Sequence, residues 1–195
     1  MTTLPVSDDE RLQAPPIHGG EKLPALARAA ISADLSGRPL PEPPDEWKEP
    51  GASFVTLTRE GRLRGCIGSL VPRRSLGDDV VGNARSAAFR DPRFPPLTDR
   101  ELEGLRIEVS VLSAPSPIPA ATRQDALAAM RPGVDGVILE AGAHRATFLP
   151  QVWDQLPDPE EFLGQLMRKA GLPAGFWSEE VRLSRYAVTV FKETV

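Results

Sequence analysis

Apolar residues at Leu23, Leu26, Ala27, Ala30, Ile31 and Leu35 recur at helical spacing and stop before Gly37, which predicts a helix. Five prolines between Pro39 and Pro50 break that period and predict a stiff loop, with Trp47 as a lid over the core. The period changes to two from Ser53 to Leu70, predicting a β-hairpin. A three-residue loop, Arg59-Glu60-Gly61 with Gly61 at positive φ, sets Leu57 opposite Leu63 and Val55 opposite Gly65. That register collects Val55, Leu57, Leu63 and Ile67 on one face and Phe54, Thr56, Thr58, Arg62, Arg64 and Cys66 on the other. Ser75 then caps a helix bearing Leu76, Val80, Ala84 and Ala87, which the proline-rich run from Asp91 to Leu97 ends.

Further along, Ile107, Val109 and Val111 alternate with Glu108 and Ser110, predicting a strand over 105–113 with a carboxylate on its second face. Residues 122–130 form a short helix, and 137–140 with 145–149 form a second hairpin. Asp158-Pro159-Glu160-Glu161 supplies a cap, a first-turn proline and an acidic third position for a helix stopped by Gly171. Residues 186–191 alternate as a last strand. Helices and hairpins are interspersed without a βαβ period, so the fold class is α+β, a mixed or antiparallel sheet with packed helices. Residues 1–20 read as a mobile N-terminal arm and 21–195 as a single domain.

Composition narrows the function classes. No apolar run among the 195 residues approaches the roughly 18 a membrane span needs, and the acidic start fits neither a secretory signal nor a transit peptide. A cytoplasmic protein is expected. One cysteine and two histidines allow no internal disulfide and no Cys/His zinc cluster, so no metal is assigned. The formal charge of -4 is unevenly spread: residues 59–93 carry eight arginines against four acids. Those arginines are expected to gather into one basic surface beside Cys66. No phosphate loop or dinucleotide fingerprint is present and no cofactor is expected, while the acidic whole and the lack of interleaved aromatics disfavour nucleic acid.

Four segments in order resemble the AMMECR family, whose bacterial and archaeal members are called AmmeMemoRadiSam system protein A. They are Leu63-Arg-Gly-Cys-Ile-Gly68, the run from Ala88 to Leu97, Glu108-Val-Ser-Val-Leu112, and Gly133-Val-Asp-Gly-Val137 followed by the run from Ala146 to Val152. The resemblance spans about residues 50–192 and implies an α+β fold with a main lobe and a smaller appended lobe. It also implies association with a MEMO-like protein and a radical-SAM enzyme. It brings no activity with it.

The chemistry is therefore read from the residues themselves. Arg64, two positions from Cys66 on one strand face, favours a thiolate, and Gly65 and Gly68 leave room for a ligand or another backbone. Alternatively Cys66 is a small buried hydrophobe and the glycines serve a bulge or a tight layer contact. Glu108 is the acid/base candidate, or else a structural ion pair with Arg64 or Arg93. Asp91 and Arg93 sit in a stiffened loop where they contact a ligand or tie the loop down. Gln151 is a further binding candidate or a turn cap, and His144 is the histidine available as a base for Cys66. Two functions follow. In one the surface is an adaptor for a MEMO-like or radical-SAM partner, and in the other Arg64, Cys66, Arg93 and Glu108 form an anion-binding enzyme pocket.

Overall fold

The structure is a computed structural model that describes residues 17–193, so most of the N-terminal arm, residues 1–16, lies outside the described residues. The chain forms two compact units, residues 17–112 with 189–193, and residues 113–188. Both sheets are antiparallel in every pair whose register is defined, and the class is α+β.

The first unit holds helices α1 (Leu23–Ser36) and α2 (Leu76–Phe89) and strands β1 (Pro50–Arg59), β2 (Arg62–Gly68), β3 (Arg74–Ser75) and β4 (Leu105–Leu112). Gly37 at φ 64 ends α1, and the Ser75 hydroxyl accepts from the Asp78 N–H to start α2. β9 (Val188–Lys192) returns from the second unit, completing the order β2-β1-β4-β9 with β3 beside β1. Val55, Leu57, Ile107 and Val109 point to one face of this sheet and bury against Leu23, Ala27, Ile31, Val80, Ala84 and Ala87 of the two helices. Trp47 is buried as the expected lid, its indole N–H donating to His18 O at 3.0 Å.

The β1–β2 hairpin differs from the sequence expectation. Arg59 pairs with Arg62 across a two-residue turn, Glu60 and Gly61, at φ 53 and 72. Both positive values suit the turn whose twist matches the strands. Thr58 then faces Leu63, and the register shifts so that Leu57 faces Gly65, Thr56 faces Cys66 and Val55 faces Ile67. Arg64 is the extra residue of a β-bulge, which returns Val55, Leu57 and Ile67 to the common face that a longer loop was expected to give them, two residues out of the expected register. Leu63, ahead of the bulge, is thereby thrown to the open face and is 43% exposed.

The second unit contains β5 (Ser116–Ile118), α3 (Arg123–Ala129), β6 (Gly136–Ala141), β7 (His144–Phe148), α4 (Pro159–Lys169) and β8 (Arg182–Tyr186), with sheet order β5-β8-β6-β7. Thr122 and Asp125 make a reciprocal capping box on α3, and the Asp158 carboxylate accepts from the Glu161 N–H on α4. Phe162, Leu163, Leu166 and Met167 of α4 are fully buried against this sheet's core, with Trp153 stacked on Phe162 at 3.7 Å between centroids. The last strand expected over 186–191 is β9, and β8, which ends at Tyr186, was not foreseen. Val188–Lys192 joins the first sheet and Arg182–Tyr186 the second, with Ala187 between them.

Candidate functional site

Cys66 lies on β2, an edge strand of its sheet, at a position whose backbone N–H and C=O face away from β1. The loop after α2 satisfies them. Asp91 Oδ2 accepts from Cys66 N–H at 2.9 Å, and Arg93 Nη2 donates to Cys66 O at 3.2 Å. The two side chains also bind each other, Arg93 Nη2 to Asp91 Oδ2 at 2.6 Å and Nε to Oδ1 at 2.9 Å. Arg93 first, then the Cys66 and Arg93 backbone N–H groups, hold the buried Asp91 carboxyl far below the usual carboxylate range. Together Asp91 and Arg93 act on the edge as a neighbouring strand would.

The same loop secures Arg64, which donates from Nε to Glu101 Oε1 at 2.7 Å and from Nη2 to Pro95 O at 3.0 Å. Arg64 and Arg93 also lie over the Phe94 ring, at 5.9 and 5.5 Å from its centroid. Arg64 Nη1 is buried without a partner among the described residues.

The thiol of Cys66 points to the sheet face that carries neither helix of this unit. Its hydrogen-bond partner is the Thr56 hydroxyl at 3.3 Å. Thr56 pairs with Cys66 on one side and Glu108 on the other, so the three side chains form a row across β2, β1 and β4. Two strand spacings put Cys66 and Glu108 about 10 Å apart, beyond direct proton transfer. Glu108 pairs with Lys192 of β9 at 3.3 Å, instead of with Arg64 or Arg93, whose own carboxylates are Glu101 and Asp91.

The space a side chain would take at each glycine is already filled. A methyl on Gly65 would fall 2.2 Å from Ala87 O, because α2 packs directly on the β2 backbone there, and one on Gly68 would fall 2.2 Å from the Phe54 ring. Gly65 thus sits in a tight contact between helix and sheet, and Gly68 in one with its cross-strand partner Phe54. Gln151 and His144 belong to the second unit, where Gln151 is exposed on a 3-10 turn, Pro150–Asp154, and His144 Nδ1 lies 2.8 Å from Ala170 O.

The arginines of residues 59–93 do not form one surface beside Cys66. Arg64 and Arg93 adjoin it, while Arg74, Arg85 and Arg90 line a different cleft. Four of the eight have their own acids, since Arg74 pairs with Asp79 and Arg85 with Asp34. The sequence reading also missed a buried polar cluster. Asp79 Oδ2 accepts from the N–H and hydroxyl of Ser53 and from Asn83, and its Oδ1 accepts from the Ser69 hydroxyl and Arg74 Nε. Asp79 and Asn83, one turn apart on α2, were the available signal, polar residues breaking into a face otherwise made of Leu, Val and Ala. Among the described residues no group of three or more His, Cys, Asp or Glu side chains could hold a metal ion.

The AMMECR1 family model matches residues 24–191, which takes in all three residues of the Cys66 row. The chain belongs to the AMMECR1 family. Proteins of Methanothermobacter thermautotrophicus and Thermococcus onnurineus are each 40% identical to this AMMECR1 chain. The first alignment covers 99% of both chains, and the second covers 89% of this chain and 90% of its relative. The crystal structure of an uncharacterised protein from Pyrococcus horikoshii superposes with a TM-score of 0.81 at 34% identity, covering 94% of each chain. The AMMECR1 fold of this chain is thus shared with a solved structure along almost its whole length. No helix among the described residues is long and apolar enough to cross a membrane.

Proposed function

We propose that this AMMECR1 protein works by docking, as an adaptor or accessory component acting with a MEMO-like protein and a radical-SAM enzyme. The docking face is the helix-free side of the first sheet around Cys66, Thr56 and Glu108. The observation that carries this reading is how the polar groups of that face are spent. The thiol meets a threonine hydroxyl and no base, Glu108 is paired with Lys192, and Asp91 and Arg93 are committed to each other and to the β2 edge. A cysteine nucleophile needs a base within hydrogen-bond reach, and Sγ has none among the described residues. The same face exposes apolar side chains, Leu63 and Val190, each 43% exposed, beside the charges of Arg106 and Lys192. Apolar anchors within a charged rim suit association with another protein.

The test mixes the purified full chain with a purified MEMO-like protein, and separately with a radical-SAM enzyme, at ~100 μM in sedimentation velocity, where even a Kd near 10 μM leaves most chains bound. A complex with either partner is expected, weakened about tenfold or more by Leu63→Glu or Val190→Glu. Both positions are exposed, so the variants should melt like the parent. No complex with either partner, or a complex indifferent to both substitutions, overturns the proposal. Turnover of a small anionic substrate abolished by Cys66→Ser would establish the enzymatic alternative in its place.

A further inference from the structure

A cleft of about 580 Å³ opens between α1 and α2 of the first unit, and its charged lining is three arginines and one carboxylate, Asp34. Arg74, Arg85 and Arg90 line it with the Ser86 hydroxyl, and Leu35 and Phe89 supply an apolar part. Two of the guanidiniums are held in place from behind. Arg74 donates from Nε to the buried Asp79 at 3.0 Å and lies across the α2 backbone at Gly82, where an added methyl would fall 2.5 Å from its Nη1. Gly82 therefore leaves the space the side chain needs. Arg85 donates from Nε to Asp34 Oδ2 at 2.6 Å, which fixes its plane and leaves both terminal nitrogens without a hydrogen bond among the described residues. Arg90, exposed just past the last turn of α2, has no side-chain partner among the described residues. Nor does the Ser86 hydroxyl.

Three guanidiniums against two carboxylates leave one positive charge uncompensated, and Asp79 is buried behind Arg74. A carboxylate is matched by the fork of a single arginine, whereas several guanidiniums and a hydroxyl match the three terminal oxygens of a phosphate ester. The volume lies within the range of small-molecule sites, larger than a bare phosphate requires, and Leu35 with Phe89 offers an apolar contact for the rest of the molecule. We propose that this cleft is a binding site for a small organic phosphate, the phosphoryl group on Arg74, Arg85, Arg90 and Ser86 and its apolar portion against Leu35 and Phe89. The site is independent of the face around Cys66 and shares no residue with it.

The full chain is titrated by calorimetry at low salt with phenyl phosphate, inorganic phosphate and benzoate, because screening weakens exposed ion pairs. Phenyl phosphate is expected to bind about tenfold more tightly than inorganic phosphate, since burying the ring adds apolar contact, and more tightly than benzoate. Arg90→Gln, which removes an exposed and unpaired side chain and leaves the fold intact, should weaken phenyl phosphate about tenfold. Arg62→Gln, at the start of β2 and outside the cleft, should leave it unchanged. Absence of binding up to about 20 mM, a dissociation constant too weak for a built site, overturns the proposal. Equal losses in the two variants overturn it too, because the anion would then be sampling surface charge. Benzoate binding as tightly as phenyl phosphate would refute the phosphate assignment.

Discussion

Asp91 and Arg93 occupy an unusual position for charged side chains, because their partners are backbone groups of a strand edge as well as each other. An ionised carboxylate buried there is tolerable only when paired and fully bonded. Glu101 repeats the logic nearby. Its carboxyl is lowered to about 2, first by the Arg64 hydrogen bond and then by Thr98. The folded-state values lie below the unfolded ones, so both groups stabilise the fold fully above the ordinary carboxylate range and lose that contribution as pH falls through the folded values. Stability should therefore decline from about pH 5 toward pH 2. In Glu101→Gln the urea midpoint should fall at neutral pH, and its further drop between about pH 5 and pH 3 should be shallower than in the parent. Parallel curves would show that the Arg64 pair contributes nothing to acid sensitivity. The residues around Cys66 were legible as a group because they fall in short, compositionally distinct runs. Their bonding was not, since whether Asp91 meets a ligand or a strand edge depends on which strand lacks a neighbour, and that is a property of sheet order.

At the level of elements, the contact between β2 and α2 sets how closely helix and sheet approach. Gly65 sits opposite Leu57 on the core face, and the carbonyl of Ala87 occupies the space a side chain would need. Gly65→Ala must push α2 away from the sheet, because the obstructing atom is backbone with no rotamer to yield. A loss of about 2–3 kcal/mol is expected from such overpacking, measured by denaturant unfolding. An unchanged midpoint would mean that the helix can shift freely. Periodicity revealed the four α-helices among the described residues and both hairpins because each has an apolar face and a cap or turn residue to bound it. Four features escaped it. β3 and β5 are too short to carry a period, β8 alternates weakly, and the bulge at Arg64 is invisible to pattern because the two hairpin geometries differ in register by two residues and so leave Val55, Leu57 and Ile67 on one face in both.

The chain as a whole is organised by an excursion. β4 and β9 are neighbours in the first sheet, yet residues 113–187 come between them in sequence and fold around a core of their own. The two ends of the excursion meet, since Ser113 N–H donates to Ala187 O at 2.9 Å and Ala187 N–H donates to Ser113 Oγ at 2.9 Å. The returning strand is then fastened in the first unit, where Glu193 at its end takes Arg28 of α1 in a two-toothed ion pair while Arg28 also donates to Leu102 O and Leu105 O. The buried residues of the first core all come from 17–112, with Phe191 of β9 packed against them, so this core should form without the inserted unit. Replacing residues 114–186 with a short linker of about four residues, a length ordinary for adjacent elements, should leave a protein that still folds. Trp47 would be its sole tryptophan, because Trp153 and Trp177 leave with the excursion. Its emission should stay blue-shifted, as expected of a side chain 3% exposed, and should redden in one cooperative urea transition. Deleting residues 189–195 as well should abolish that transition by opening the β4 edge and releasing Arg28. A red-shifted emission in the linker protein itself would mean that the first core depends on the second unit, and that the excursion is structurally required.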